Sequence, residues 1–277
     1  MLANLHTHTW RCGHATGTDR EYVEAAIRAG LGVLGFSDHC PWPFRDGYVS
    51  RIRMAPSAAP EYFASVAALR EEYKGDIRIF AGFEAEWFPA LAAERDALYE
   101  GWPVDYMILG QHYIDDERAG RPDTYCGTPS PDPARLARYV DLCVEALDTG
   151  KYLYVAHPDL LAFTGEDAVW REQYGRLCDA LRERGIPVEV NLHGIAGSRH
   201  YSTERFLRLA AEHGCKATVA LDAHSPALFG RLPELLGEAR RRCRAAGIEI
   251  VEPPLPGGSA AGADRRRPEP GGIQPRP

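Results

Sequence analysis

Short apolar runs alternate with longer amphipathic stretches along almost the whole chain. The runs at 2–6, 33–37, 77–83, 104–110, 152–156, 187–191, 217–221 and 248–251 predict strands, because they are too short for helices and end in turn residues. Between them, apolar positions recur at helical spacing near 19–30, 60–74, 91–100, 133–148, 168–184, 203–213 and 232–246. Thr18 and Glu21 make a capping box for the first helix, and Gly30 is placed to end it. Pro133 and Gly150 bracket a later helix in the same way. Such strict alternation predicts one α/β domain on a parallel sheet over residues 1–255. That length suits a barrel, whose typical size is about 250 residues, although a doubly wound sheet would alternate identically. The segment 40–59, CPWPFRDGYVSRIRMAPSAA, interrupts the rhythm directly after a strand exit and reads as a lid. Its Arg45, Arg51 and Arg53 are placed to meet an anionic substrate.

Composition narrows the partners. Of the net charge of −7, the tail 256–277 contributes Arg265, Arg266, Arg267 and Arg276 against Asp264 and Glu269, so residues 1–255 carry −9. That balance, with only Lys74, Lys151 and Lys216 as lysines, excludes tracking along a nucleic-acid polymer. The tail is rich in glycine and proline and is expected to be disordered. No apolar run approaches the ~20 residues of a membrane span, and MLANLHTH lacks the features of a signal peptide. A cytoplasmic protein with no membrane partner is expected. The seven cysteines are scattered and never spaced as CxxC, which argues for thiols and against a cysteine zinc site.

The histidines change the picture. His6 and His8 alternate at the end of the first predicted strand, with His14 in the loop beyond. His39, His112, His157 and His224 also stand at or just past strand exits, as do Glu84 and Asp222. Glu86 rivals Glu84, because it shares the same strand face. In a parallel barrel all those exits converge on one rim, where active sites sit. Histidines placed by chance would fall on helices and strand starts as readily. Nine ligands exceed one zinc and suit two or three divalent ions, with zinc, manganese and iron all compatible. Asp38 and Asp159 are candidates to orient ligand histidines.

The ordered motifs HTHT, the loop histidine at 14, GFSDH, the RM before the second helix, GFEAEW, GQHYI, AHPDL, EVNLHG and LDAHSP span roughly residues 4–252. They resemble the polymerase and histidinol phosphatase (PHP) family, in particular its stand-alone histidinol-phosphatase branch. The resemblance implies a distorted (β/α)7 TIM-like barrel with the metal site at the C-terminal ends of the strands, leaving 248–251 accessory. It also implies three metals: one on His6, His8, Glu84 and Asp222, one sharing Glu84 with His112 and His157, and one on His14, His39 and His224. The basic residue that related phosphatases often carry after the HPDL-like motif is replaced here by LAFTGED. Arg199, between His193 and His200, is the candidate phosphate ligand, with those histidines and Arg53 as further substrate contacts.

The activity so implied is hydrolysis of a small phosphorylated metabolite, in first place histidinol phosphate, in histidine biosynthesis. A metal-bound hydroxide, formed because clustered ions lower the pKa of water toward ~7, would attack phosphorus in line. A nucleotide or another small phosphate ester is the alternative substrate. A non-catalytic metal-binding module would be expected to lack ligands, and all nine positions are filled. Amidohydrolase-like barrels bridge two metals with a carbamylated lysine after strand four, and VDYMILGQH has none.

Overall fold

The computed structural model describes residues 2–119 and 124–257. Seven parallel strands follow one another around a single sheet: β1 Ala3–Asn4, β2 Val33–His39, β3 Arg78–Ala85, β4 Tyr106–Leu109, β5 Tyr152–Val155, β6 Val188–Asn191 and β7 Ala217–Ala220. The helices are α1 Asp19–Arg28, α2 Ala59–Glu72, α3 Ala92–Tyr99, α4 Pro133–Asp148, α5 Asp167–Arg184, α6 Leu192–Ala196, α7 Glu204–Glu212 and α8 Leu232–Ala246. Among the described residues, no helix is long and apolar enough to cross a membrane. The expected tail falls, from residue 258 onward, outside the described residues.

The two-residue period of the strands sorts their side chains into two cores. On β3, Ile79, Ala81, Phe83 and Ala85 pack outward with helix residues such as Tyr62, Phe63 and Val66. Phe80 instead joins Leu5, Tyr106, Ile108, Tyr154 and Ala156 in a small inner plug that floors the barrel. The plug is tight: a β-carbon on Gly82 would stand 2.7 Å from the Tyr106 ring, and one on Gly35 would stand 2.8 Å from Leu5. Above the plug, the inward positions become polar and form the site.

The two ends of the sheet meet in an irregular seam. Thr7 bridges Ala223 in parallel, His8 N–H donates to the Ala223 carbonyl at 2.9 Å, and Ala223 N–H donates to the His6 carbonyl at 3.2 Å. Below them, Leu221 N–H donates to the Asn4 side-chain oxygen at 2.8 Å. The barrel is thus nearly closed by side-chain and single-bridge contacts, so β1 is shorter than the 2–6 expected. The seam also brings His6 and His8 alongside Asp222 and His224. The apolar run 248–251 makes one bridge, Ala217 to Ile250, and adds no full strand.

Helix α6 has no counterpart in the expected elements. Five residues are too few to show a helical period, and its start is set by the Asn191 side chain, which accepts from Gly194 N–H at 2.8 Å. The capping box at Thr18 and Glu21 forms as expected, and Gly30 adopts a left-handed φ of 78° just past α1.

Candidate metal centre

Glu84, at the exit of β3, is the hub of the rim. Its register partner on β2 is His39, whose Nδ1 lies 3.1 Å from Oε2. His8 Nε2 lies 3.4 Å from the same oxygen. Around Oε1 stand His157 Nε2 at 2.8 Å, His112 Nε2 at 3.4 Å and His6 Nε2 at 3.5 Å. Across the seam, Asp222 Oδ1 is 3.2 Å from His8 Nε2, 3.3 Å from His224 Nδ1 and 3.4 Å from His6 Nε2. His14 reaches the same cluster from its loop, with its Nε2 3.1 Å from Nε2 of His224. All nine sequence-derived ligand candidates therefore meet in one place.

Their hydrogen bonding fits a cation. His6 Nε2, both ring nitrogens of His8, His39 Nδ1, His157 Nδ1, Glu84 Oε2 and Asp222 Oδ1 are buried without a directed hydrogen-bond partner. Native interiors rarely leave polar atoms in that condition. His14 Nδ1 faces the Cys12 carbonyl at 2.9 Å and His224 Nδ1 faces the Asp222 carbonyl at 3.1 Å. A carbonyl only accepts, so each Nδ1 carries the proton and the two bare Nε2 lone pairs point at each other. A shared cation turns that repulsion into ligation. Imidazole and carboxylate donors of this kind suit zinc, manganese or iron.

The charge balance agrees. Burial alone would push the carboxyls of Glu84 and Asp222 up, but the imidazoles around them (His112 and His6 for Glu84, His6 and His224 for Asp222) hold both well below the usual carboxylate range. Burial likewise lowers His8, yet the carboxylates of Asp222, Asp38 and Glu84 around it raise it to about 9. Burial and the neighbouring imidazoles push His39 and His14 down instead, so those two rings stay neutral donors. Two of its members sit on left-handed backbone, His157 at φ 30° and Asp222 at φ 51°. Such positions cost about 1–3 kcal/mol each for a residue with a side chain and concentrate at functional sites.

A second layer of carboxylates holds the rings. Glu189 Oε1 accepts from His6 Nδ1 at 2.7 Å, while its Oε2 accepts from His157 N–H and from Asn191 Nδ2, both at 2.8 Å. Asn191 Nδ2 also donates to Asp222 Oδ2 at 3.0 Å. None of the strand-exit candidates falls on β6, so residue type at the exits does not single out this pair. The available signal was polar Glu189 and Asn191 alternating with Val188 and Val190 in a wholly buried strand. Glu86, the rival to Glu84, points away from the hub and binds Arg53, Trp42 and Nδ1 of His112. Asp38 takes the Thr9 hydroxyl and its own neighbour's N–H, with Oδ1 3.6 Å from His8 Nδ1.

The hub opens into a cavity of about 510 Å³, whose other walls include Ile52, Tyr113, Tyr125, His193, Tyr201 and Arg199. Arg199 follows Ser198, which turns the chain at φ 49°, and makes no ion pair with a described residue. Glu204, its most obvious alternative partner, is taken by Arg241 at 3.1 Å. Burial, with His224 and Arg199 nearby, lowers His193 to about 4, so its ring is neutral at neutral pH.

Other expected substrate contacts are corrected. The Arg53 guanidinium is buried and fully engaged with Glu86, Glu117 and the Cys40 carbonyl, so it cannot meet substrate. His200 lies off the cavity and spends Nε2 on the Leu160 carbonyl at 2.7 Å. Arg45 pairs with Glu94 at 2.6 Å, and only Ile52 of the segment 40–59 lines the cavity. Asp159 has no hydrogen bond to a described histidine; it accepts from the N–H and hydroxyl of Thr203, the N-cap of α7, both at 2.8 Å.

A nearly closed parallel barrel with imidazoles and carboxylates gathered at its strand exits defines a metal-dependent barrel hydrolase as the class. The PHP domain family matches residues 4–193, and the chain belongs to that family. It is 31% identical over 246 residues to a probable histidinol-phosphatase of Deinococcus radiodurans, covering 86% of this chain and 93% of that one. A histidinol-phosphatase of Bacillus subtilis is 29% identical over 115 residues, 39% of this chain and 43% of that protein. The histidinol phosphate phosphatase of Lactococcus lactis, solved in complex with zinc, L-histidinol and phosphate, shares the fold with a TM-score of 0.66 at 20% identity, over 90% of this chain and 95% of that one.

Proposed function

We propose that this chain is a metal-dependent phosphatase that hydrolyses histidinol phosphate to histidinol and inorganic phosphate in the cytoplasm. The observation that carries the reading is the concentration of partnerless imidazole nitrogens and carboxylate oxygens in a cavity that Arg199, with no ion pair to a described residue, also lines. Relatives named histidinol-phosphatases supply the substrate class. The residues that would hold two or three divalent ions are His6, His8, Glu84 and Asp222; Glu84, His112 and His157; and His14, His39 and His224. Bound there, zinc, manganese or iron supplies Lewis-acid charge and acidifies water. Glu189, Glu86 and the backbone carbonyls of Cys12 and Asp222 keep the ligating nitrogens deprotonated and aimed. Arg199 takes phosphate oxygens through its planar fork and gains strength as charge develops on them.

Phosphate release from L-histidinol phosphate, nucleotide monophosphates and a phosphodiester, measured on metal-loaded and chelated protein, tests this. Selective, metal-dependent release from histidinol phosphate is expected, and preference for a nucleotide would reassign the substrate. In the same assay Arg199→Ala should keep its metals but lose kcat/KM by roughly 2–4 kcal/mol, as other transition-state donors do. Normal turnover in that variant would remove Arg199 from the site.

A further inference from the structure

The segment 40–59 is not a free flap over the cavity. Its buried Arg53 donates from Nη2 to Glu86 Oε1 at 2.8 Å and from Nη1 to Glu86 Oε2 at 3.0 Å. The same guanidinium donates from Nη1 to the Cys40 carbonyl at 2.9 Å and from Nε to Glu117 Oε2 at 2.7 Å. Near the other end of the segment, Trp42 donates its indole N–H to Glu86 Oε2 at 3.0 Å. One carboxylate therefore fastens both ends of the segment. Its Oε1 also lies 3.2 Å from Nδ1 of His112.

That last contact matters because His112 belongs to no strand or helix. It stands in the loop after β4, held along its backbone by Cys126 N–H donating to its carbonyl at 2.8 Å. Its ring is held between Glu86 on Nδ1 and Glu84, 3.4 Å from Nε2, and its hydrogen bond goes to Glu86. A bidentate guanidinium fixes the plane of the carboxylate it grips, and a carboxylate that accepts from Nδ1 leaves Nε2 bare, facing Glu84. Metal on Nε2 would in turn make the Nδ1–H a stronger donor and tighten its bond to Glu86. Arg53 and Glu86 are almost wholly withdrawn from water, as is Glu117, so water does not screen these bonds.

We propose that Arg53 and Glu86 form a positioning clamp that aims His112 at its metal and makes the order of residues 42–53 depend on that metal. The coupling is reciprocal: whatever the metal adds to the clamp, the clamp adds to the metal. The proposal rests on the reading of His112 as a metal ligand.

Zinc is the probe. Metal-stripped wild type and the variants Arg53→Lys, Glu86→Gln and His112→Asn are titrated with zinc against a chromophoric chelator. Hydrogen–deuterium exchange over 42–55 is followed in parallel, with α8 as internal reference. Lysine keeps the charge of Arg53 but not its fork, so one zinc equivalent should weaken by about 10–100-fold, the usual effect of losing such a partner. Glu86→Gln should do the same and stands in if the lysine variant fails to fold. His112→Asn should abolish that equivalent, and chelation of wild type should speed exchange over 42–55 but not in α8. Wild-type zinc affinity in Arg53→Lys and Glu86→Gln, with exchange over 42–55 indifferent to zinc, overturns the clamp alone. Full zinc binding by His112→Asn overturns the ligand assignment beneath it.

Discussion

Gly110 shows how little room the centre leaves at the scale of one residue. A β-carbon there would overlap the Glu84 carboxylate, standing 2.5 Å from its carboxyl carbon. Glu84 cannot swing aside, because His6, His8, His39, His112 and His157 surround its oxygens. Gly110→Ala should therefore displace the hub and lower metal affinity by at least the roughly 10–100-fold lost with an orienting partner. The overpacking itself should cost about 1–3 kcal/mol of stability. Elemental analysis of the purified variant, beside its thermal melt, checks this; full metal content would mean that the hub tolerates the methyl group. The ligand candidates were legible one by one because metal chemistry demands histidines and carboxylates, and those residue types are scarce at strand exits by chance. The choice of Glu84 over Glu86 came from the family resemblance and was not legible in the strand period. Alternation places both on one face, whereas Glu86 lies just past the end of β3 and is turned to the buried guanidinium of Arg53.

Among the elements, the seam between β1 and β7 joins stability to function. Asn4 is its staple: it accepts from Leu221 N–H at 2.8 Å and donates to the His6 carbonyl at 3.1 Å and to Thr7 Oγ1 at 2.7 Å. All of these groups are buried. Asn4→Ala leaves the Leu221 N–H without a partner, and an unsatisfied buried group costs about 1–3 kcal/mol. The seam carries His6, His8 and Asp222, so metal binding should weaken with it. Urea unfolding with and without zinc should show a larger loss of stability in zinc than in chelator, and equal losses would uncouple seam from centre. The strands and most helices were readable from periodicity. The seam was not, because it consists of single bridges and side-chain bonds between residues more than 200 positions apart.

The molecule as a whole concentrates negative charge beneath its rim. Asp38, Glu84, Glu86, Glu189 and Asp222 are all buried at this end of the barrel, and the buried guanidinium of Arg53 pairs with Glu86 among them. Cations that bind this arrangement only in the folded state must stabilise it, by about 2.7 kcal/mol for each site filled at 100 times its dissociation constant. Chelation should lower the melting temperature reversibly, and added zinc should restore it in a concentration-dependent way. A melting temperature indifferent to both would mean that the cluster holds no ion tightly.

By itself, the sequence determined the strand–helix alternation and the family to which its ordered motifs belong. It also put a metal-ligating residue type at one strand exit after another. These properties are local: periodicity, turn chemistry and residue type suffice to state them. Only the tertiary structure decided that Arg199 faces the cavity while Arg53 is sealed behind it, since sequence carries no measure of burial for two equally charged side chains. It also decided that Glu189 and Asn191 hold His6 and Asp222 from a strand that carries none of the nine ligand candidates. Those roles depend on which side chains meet across the barrel, and that distance is set by closure of the sheet rather than by any local pattern.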